Sequence, residues 1–328
     1  MVPMARLDSL CRTRLSFIHE SFGDPLSILE LVETELPELL PGKLRVAVSH
    51  VPVNPSDLIP ITGAYTHRIT LPAVAGYEGV GCVVEAPPEF SHLLGQRVLP
   101  LRGEGTWQTQ VDCPIDHVIQ VPETIPDLTA ARAYINPLAA NMMLRNWPVR
   151  NKIVLLSGAG SNCAEYLGGW AIRQGAKRVI GIYRSESRRK RLHKLGIEPV
   201  AMLDPAGIAE AARQADIAFD ALGGDIASHV LRQMRSDTYF VAYGLLTGKP
   251  VAAAAVTRPA YRRFHMRDHL APLAGRGMHQ AFAEIWPLLA DAPPQNPEVF
   301  DARDWRKAIA EATRPAGRKP ILDMSRLI

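Results

Sequence analysis

Cysteine is scarce in this sequence: Cys11, Cys82, Cys113 and Cys163 are the only ones, and no two form a CxxC pair. That spacing argues against both a disulfide framework and a ribbon-type zinc site, and a reducing cytoplasm is the expected setting. No apolar run approaches the ~20 residues that a helix needs to cross a bilayer. The opening stretch MVPMARLDSLCRTRLSF lacks the continuous apolar core and small-residue cleavage site of a secretory signal. Neither export nor membrane association is expected. Charges of one sign form no long tract, and a formal net charge of +4 gives nucleic-acid binding no support. A GxSxG motif is also missing, which removes the serine-hydrolase elbow from consideration.

What is present is an ordinary globular balance, 47% apolar and 21% charged, enough to bury a core against chain entropy. Domains cluster at roughly 100 to 150 residues, so a chain of 328 is expected to divide in two. From Ser27 to Val53 short apolar segments are interrupted by proline, and KLRVAVS (Lys43 to Ser49) alternates as a half-buried strand does. The same character returns at Val80 to Glu85 and at Gln96 to Pro100. These spaced strands with Pro/Gly turns suggest an irregular antiparallel barrel up to about Val121.

Near Asn136 the rhythm changes to alternating strand-like and helical stretches, which predicts parallel βαβ units. Strands are read at Lys152 to Ser157, Arg178 to Tyr183, Pro199 to Leu203, Asp216 to Ala221 and Thr238 to Tyr243. Helices are read near Cys163 to Gln174, Ser187 to Leu195, Ala206 to Arg213 and Ile226 to Met234. The order is that of a doubly wound α/β sheet. Beyond His265 the alternation lapses; helices near Met278 to Leu289 and Asp304 to Thr313 flank the loop DAPPQNPEVF. This tail is expected to rejoin the first domain, giving residues 1–135 and 266–328 as one domain and 136–265 as the other.

After the first strand of the second domain comes Gly158-Ala159-Gly160-Ser161-Asn162-Cys163. Small residues here let backbone amides and a helix N-terminus approach a pyrophosphate. The third glycine of the usual fingerprint is absent, so a plain tight turn competes with a phosphate cradle; the place at the first βα junction favours the cradle. The next strand ends in Tyr183-Arg184-Ser185-Glu186-Ser187-Arg188. No acid stands at the strand end to take a ribose 2′-hydroxyl, whereas guanidinium and hydroxyl groups suited to a 2′-phosphate cluster there, so NADPH is preferred to NADH. The run Arg188 to Arg191 also reads as a solvated helix face; Arg184 is the residue whose position favours a ligand. Gly223, Tyr243 and Gly244 fall at strand C-termini, where ligands collect in open α/β sheets, and each glycine serves equally as a simple turn.

Several ordered motifs carry a family resemblance: Asn54-Pro55-Ser56-Asp57, Gly63-Ala64-Tyr65, the run Leu71 to Gly81 (LPAVAGYEGVG), Gly105-Thr106-Trp107, and Asn136-Pro137-Leu138-Ala139-Ala140. In them the chain resembles the medium-chain dehydrogenase/reductase superfamily, and within it the mitochondrial-type 2-enoyl thioester reductases. The resemblance implies a GroES-like irregular β-barrel catalytic domain built from both chain ends, a Rossmann domain inserted between, a cleft for the nicotinamide, and often a homodimer. Zinc-dependent relatives carry Cys and His ligands where this chain has Asn54 and Tyr77, and they add a four-cysteine lobe that is missing here. No metal site is expected on that comparison.

In the similar reductases the tyrosine of the G-x-Y motif donates a proton or stabilises the enolate while hydride is delivered to Cβ, and the matching residue is Tyr65. A phenol with a pKa of about 10 stays protonated at neutral pH and suits that role. A half-buried ring in a glycine-rich loop is the structural alternative. By the same comparison Asn54 and Trp107 shape the nicotinamide or acyl pocket, although Trp107 reads equally as core. Asn136 stands at the crossover that touches the cofactor.

The basic segment RRFHMRDH (Arg262 to His269), with Arg314, Arg318 and Lys319, could attract coenzyme A phosphates or an acidic acyl carrier protein, against the commoner fate of solvated surface charge. The leading expectation is therefore NADPH-dependent reduction of a trans-2-enoyl thioester of coenzyme A or acyl carrier protein. A quinone or enone reductase is the rival enzyme, tailoring of a carrier-bound intermediate is a third, and a non-catalytic NADPH-binding sensor or scaffold belongs to another class.

Overall fold

The computed structural model describes residues 13–64, 66–252, 260–273, 275–291, 295, 297–314 and 317–327. The chain divides into two compact units, residues 1–135 with 274–328 and residues 136–273. Residues 266–273 therefore group with the second unit, and the tail rejoins the first one eight residues later than the sequence suggested.

The first unit opens with an antiparallel pair, β1 (Thr13–His19) and β2 (Glu30–Glu35), joined through the one-turn helix α1 (Pro25–Ile28). There follow β3 (Lys43–Pro52), α2 (Pro55–Ile61), β4 (Ala73–Val74), β5 (Val80–Glu85), β6 (Arg97–Pro100), β7 (Gln110–Pro114), β8 (Val118–Gln120) and the short α3 (Asp127–Ala130). Strand β4 pairs back onto β1, closing a three-stranded sheet.

The longer strand β3 pairs antiparallel with both β5 and β7. Its alternation places Leu44, Val46 and Val48 in the core and leaves Lys43, Ala47 and Ser49 on the opposite face partly exposed, as expected of a half-buried strand; Arg45 departs from it. Arg45 on that face is buried, and its guanidinium grips Asp112 at 2.8 and 3.0 Å, Glu85 at 2.6 Å and the Pro37 carbonyl at 2.6 Å. A buried charge survives only when satisfied in this way. The core beneath is anchored by Phe17, which meets Trp107 edge-on at 6.1 Å and Trp305 at 5.9 Å. Gly76 is required beside it: its φ is +88°, and a Cβ there would lie 2.1 Å from Trp107 Cδ1.

The second unit begins along α4 (Ile135–Asn146) and continues through β9 (Ile153–Leu156), α5 (Asn162–Arg173), β10 (Arg178–Tyr183), α6 (Glu186–Lys194) and β11 (Glu198–Ala201). Then come α7 (Pro205–Gln214), β12 (Ile217–Asp220), α8 (Gly224–Gln233), β13 (Tyr239–Ala242) and β14 (Ala260–Arg263). All pairings are parallel, in the order β11-β10-β9-β12-β13-β14. Strand order thus reverses at β9, the switch point of a Rossmann sheet, where ligands gather at the carboxyl ends. Strands IVLL, VIGI and FVA are near-continuously apolar because helices cover both faces of such sheets.

Helix α4 and strand β14 were not legible beforehand. Pro137, Leu138, Ala140, Met142, Met143 and Leu144 of α4 are all buried, so no single apolar stripe marks it as a helix. Strand β14 reads AYRR, with both arginines exposed at the sheet edge.

The chain then returns to the first unit with α9 (Arg276–Asp291), β15 (Glu298–Asp301), α10 (Trp305–Thr313) and β16 (Pro320–Asp323). Strand β16 adds antiparallel to β3 and carries β15 in parallel, extending the sheet to β15-β16-β3-β5-β6-β8, with β7 on β3. Strands from before and after the second unit thereby build one sheet. Among the described residues no helix is long and apolar enough to cross a membrane.

Candidate active site

Helix α2 starts where β3 ends, and its first turn holds a buried polar cluster. Pro55 fits the first helical position, where no amide donor is needed, and Asp57 Oδ2 reaches back to the Asn54 amide at 2.8 Å. Asn54 is 2% exposed and both ends of its side chain are engaged: Nδ2 donates to Glu78 Oε1 at 2.8 Å, and Oδ1 accepts from Lys319 Nζ. The ammonium also donates to the Val53 carbonyl at 2.8 Å. The second oxygen of Glu78 accepts the amides of Tyr134 at 3.1 Å and Ile135 at 2.8 Å, the latter opening α4.

Burial dominates the electrostatics of this cluster. It raises the Asp57 carboxyl to about 7 against the pull of the Asn54 amide, and it raises Glu78 as well. It lowers the Lys319 ammonium to about 8, opposed by the charges of Glu78 and Asp57. Asp57 Oδ1 has no hydrogen-bond partner.

In the second unit the carboxyl ends of β9, β12 and β13 interlock. Ser157 Oγ donates to Asp220 Oδ1 and accepts the Ala221 amide at 2.9 Å. Asp220 further accepts the amides of Leu222 at 3.2 Å and Gly223 at 3.0 Å, while its carbonyl takes those of Tyr243 and Gly244. The Tyr243 hydroxyl is enclosed beside Cys163 and Ser161, and burial pushes it well above the usual phenol range, so it stays protonated.

The turn Gly158 to Ser161 leads into α5, whose N-terminus Ser161 caps through the Ala164 amide at 3.4 Å. First-turn amides of a helix have no intrahelical acceptors, so Asn162 and Cys163 present donors where an anion can dock. Further along α5, a Cβ at Gly168 would sit 3.0 Å from Cδ1 of Leu156 in β9 and 2.4 Å from Ile197 Cδ1, so the helix packs closely there. At the end of β10, Arg184 is exposed and has no ion-pair partner among the described residues. The nearest acid along the chain, Glu186, is taken by Arg189 at 3.0 Å. Arg188 lies over Gly160 and stands 3.8 Å from Glu165, which also holds Arg191 at 3.1 Å.

Residues 40–123 match the alcohol dehydrogenase GroES-like domain family. The mitochondrial enoyl-[acyl-carrier-protein] reductase of Homo sapiens is 30% identical over 253 residues, covering 73% of this chain and 68% of that protein. A crystal structure of a proposed NADPH:quinone reductase from Bacillus thuringiensis is 30% identical, with a TM-score of 0.87 over 95% of this chain and 99% of that one. The chain belongs to the medium-chain dehydrogenase/reductase superfamily. The mitochondrial 2-enoyl thioester reductase Etr1p/Etr2p of Candida tropicalis shares the fold at a TM-score of 0.79 and 19% identity, covering 95% of this chain and 99% of that one.

Set against the superfamily motifs, the expected site residues fall into three groups. Tyr65 lies outside the described residues. Two others lie in the first unit: Trp107 is fully buried, its Nε1 donating to the Pro52 carbonyl at 3.2 Å, in keeping with the core alternative of its reading. Asn54, which stands where zinc-dependent relatives carry a ligand, joins Lys319 to Glu78 through Oδ1 and Nδ2. The remaining residues, Asn136, Gly158 to Cys163, Tyr183 to Ser185, Arg188, Gly223, Tyr243 and Gly244, all belong to the second unit.

Two details in that unit differ from a free-amide cradle. The Ala159 amide already bonds the Ile182 carbonyl at 2.9 Å, and burial raises the Cys163 thiol to about 12, which keeps it neutral. Lys319, read from sequence as a surface charge that could meet an acidic carrier, has its ammonium enclosed in the first unit. Glu78, Asp57, Asp220 and Ser157 were missed. Of these only Asp57 carried a signal, the Asn54-x-x-Asp57 spacing of a reciprocal helix cap.

Proposed function

We propose that this oxidoreductase uses NADPH to reduce an activated carbon–carbon double bond, with a trans-2-enoyl thioester of coenzyme A or acyl carrier protein as its substrate. The observation that carries the reading is the 30% identity with human mitochondrial enoyl-[acyl-carrier-protein] reductase across 73% of the chain. The geometry at the end of β10 supports the phosphorylated cofactor. Arg184 is unpaired among the described residues, Ser185 Oγ and Ser187 Oγ lie 3.2 Å apart beside it, and the local carboxylate is engaged elsewhere. The turn Gly158 to Cys163 is the proposed seat of the pyrophosphate.

The reduced nicotinamide supplies a hydride to Cβ of the enoyl group. What this chain must supply is stabilisation of the enolate that develops on the thioester oxygen and a proton for Cα. Tyr65 is the proposed donor: a phenol is still protonated at neutral pH, and in the sequence it comes four positions after the last residue of α2, Ile61. Asn54 and Glu78 act at one remove, by fixing the start of that helix. We extend the reading to a homodimer, the assembly implied by the resemblance.

The test is NADPH oxidation by the purified protein with crotonyl-CoA, wild type against Tyr65→Phe. Loss of a general acid is expected to slow turnover about 10²-fold or more. Full activity in the variant removes Tyr65 from the mechanism. The second reading, quinone reduction, is favoured by the proposed NADPH:quinone reductase at 30% identity over nearly the whole chain. It predicts turnover of quinones that is indifferent to Tyr65→Phe, with crotonyl-CoA inert.

A further inference from the structure

The buried cluster at the start of α2 joins four stretches of chain that are far apart in sequence. Lys319 precedes β16, Val53 and Asn54 follow β3, Glu78 lies between β4 and β5, and Tyr134 and Ile135 open α4. One ammonium holds Val53 and Asn54, one amide passes that hold to Glu78, and one carboxylate fixes two backbone amides. Asn54, Asp57 and Glu78 are each at most 2% exposed, so water cannot substitute for any of these partners. Arg132, also buried, faces the ammonium and is held by the Leu128 and Gln295 carbonyls.

Such an arrangement is a poor source of stability. Taking charges out of water costs several kcal/mol per ion, which their mutual attraction offsets only with excellent geometry. What it does supply is orientation, since each partner accepts only a narrow range of positions. Helix α2 is held at its N-terminus by this cluster and ends two residues before Gly63 and three before Ala64. Helix α2 is only seven residues long, about two turns, so a shift of its first turn at Asn54 would carry over to the turn Thr62 to Ala64.

We propose that Lys319 is a positioning residue of the reductase: by holding Asn54, and through it Glu78, it sets the placement of helix α2 and of the turn that leads into Tyr65. The role rests on the enoyl-reductase reading, in which that turn precedes the proton donor. In this role Lys319 acts through its bonds to Val53 and Asn54.

The experiment compares wild type, Lys319→Met and Lys319→Arg as full-length proteins. Turnover of crotonyl-CoA with NADPH is measured alongside amide hydrogen exchange of peptides covering residues 53–64, 76–79 and 153–183. Misplacement of about 1 Å costs on the order of 10²-fold in rate, so Lys319→Met is expected to lower kcat by that order while the NADPH KM stays within about twofold. Lys319→Arg, which keeps a buried cation and its donors, is expected to restore most of the rate. Exchange in Lys319→Met is expected to rise at residues 53–64 and 76–79 and to stay unchanged at 153–183. If Lys319→Met fails to fold, Lys319→Gln, which keeps a shorter donor, takes its place.

Unchanged kcat and exchange overturn the proposal, and so does a uniform rise in exchange with NADPH binding lost alongside turnover. Should wild type leave crotonyl-CoA untouched, the functional reading falls, and the exchange pattern alone decides whether Lys319 places the helix.

Discussion

Ser157 and Asp220 bind the carboxyl ends of β9 and β12 to each other at the point where the strand order of the Rossmann sheet reverses. The serine hydroxyl serves both neighbours at once, donating to the carboxylate and accepting the Ala221 amide at 2.9 Å. With Ser157 4% and Asp220 1% exposed, neither partner can turn to water instead.

Ser157→Ala therefore leaves a buried carboxylate oxygen short of a donor and a buried amide without an acceptor. The cost of such orphaned groups is on the order of 2 kcal/mol. The urea midpoint is expected to fall without a change in slope, and NADPH affinity to weaken because the turn from Ala221 to Gly224 loses its tether. A variant with the wild-type midpoint and affinity would show that the bond carries neither load.

How much of this was legible in the sequence differs between the units. Strands β9, β10, β12 and β13 are short, mostly apolar runs separated by helical stretches, so their existence and order could be read to within a residue or two of their ends. The cofactor-side residues followed from that order, because the carboxyl ends of such strands are where ligands bind. In the first unit β3, β5 and β6 also lie where the sequence placed them, but the surroundings of their side chains were not legible. On the polar face of strand β3 Arg45 is buried, since it finds Asp112 from β7, and no local pattern shows a partner 67 positions away. Lys319 looked like any surface lysine for the same reason: its acceptors, Val53 and Asn54, are 266 and 265 positions distant. Trp107 sat in a family motif and read equally as pocket wall and as core; the ring fills the core against Phe17 and excludes any side chain at Gly76.

The same cluster makes stability depend on pH in a stated direction. Burial raises Asp57 in the folded protein from 3.8 to about 7, so the folded state holds a proton that the unfolded chain releases between those values. A raised carboxyl contributes stability that is complete below the unfolded pKa and is lost as pH climbs through the folded one. Asp57→Asn keeps an oxygen for the Asn54 amide and has no proton to lose. The stability of wild type relative to Asp57→Asn is therefore expected to decline from about pH 4 to about pH 7 and to level off at each end. Lys319, lowered to about 8, stays mainly charged across that window, while Glu78 and Arg132 face the site in both proteins and their shared contributions largely cancel in the difference. Urea titrations at several pH values check this, and a difference that stays flat across the window would contradict it.

Arg184 offers a test of cofactor choice that is independent of the substrate. Its guanidinium follows β10 directly, is exposed, and has no carboxylate partner among the described residues, while Glu186 is occupied by Arg189 and Glu165 by Arg188 and Arg191. A charged hydrogen bond to a 2′-phosphate contributes about 1.5–3 kcal/mol, so Arg184→Ala is expected to weaken NADPH at least about tenfold. NADH lacks that phosphate and should bind wild type and variant alike. Fluorescence titration of both nucleotides against both proteins gives the four constants needed. Equal losses for the two nucleotides would mean that Arg184 supports the turn itself, and the 2′-phosphate would then have to be sought at Ser185 and Arg188, whose side chains line the same end of β10 and the start of α6.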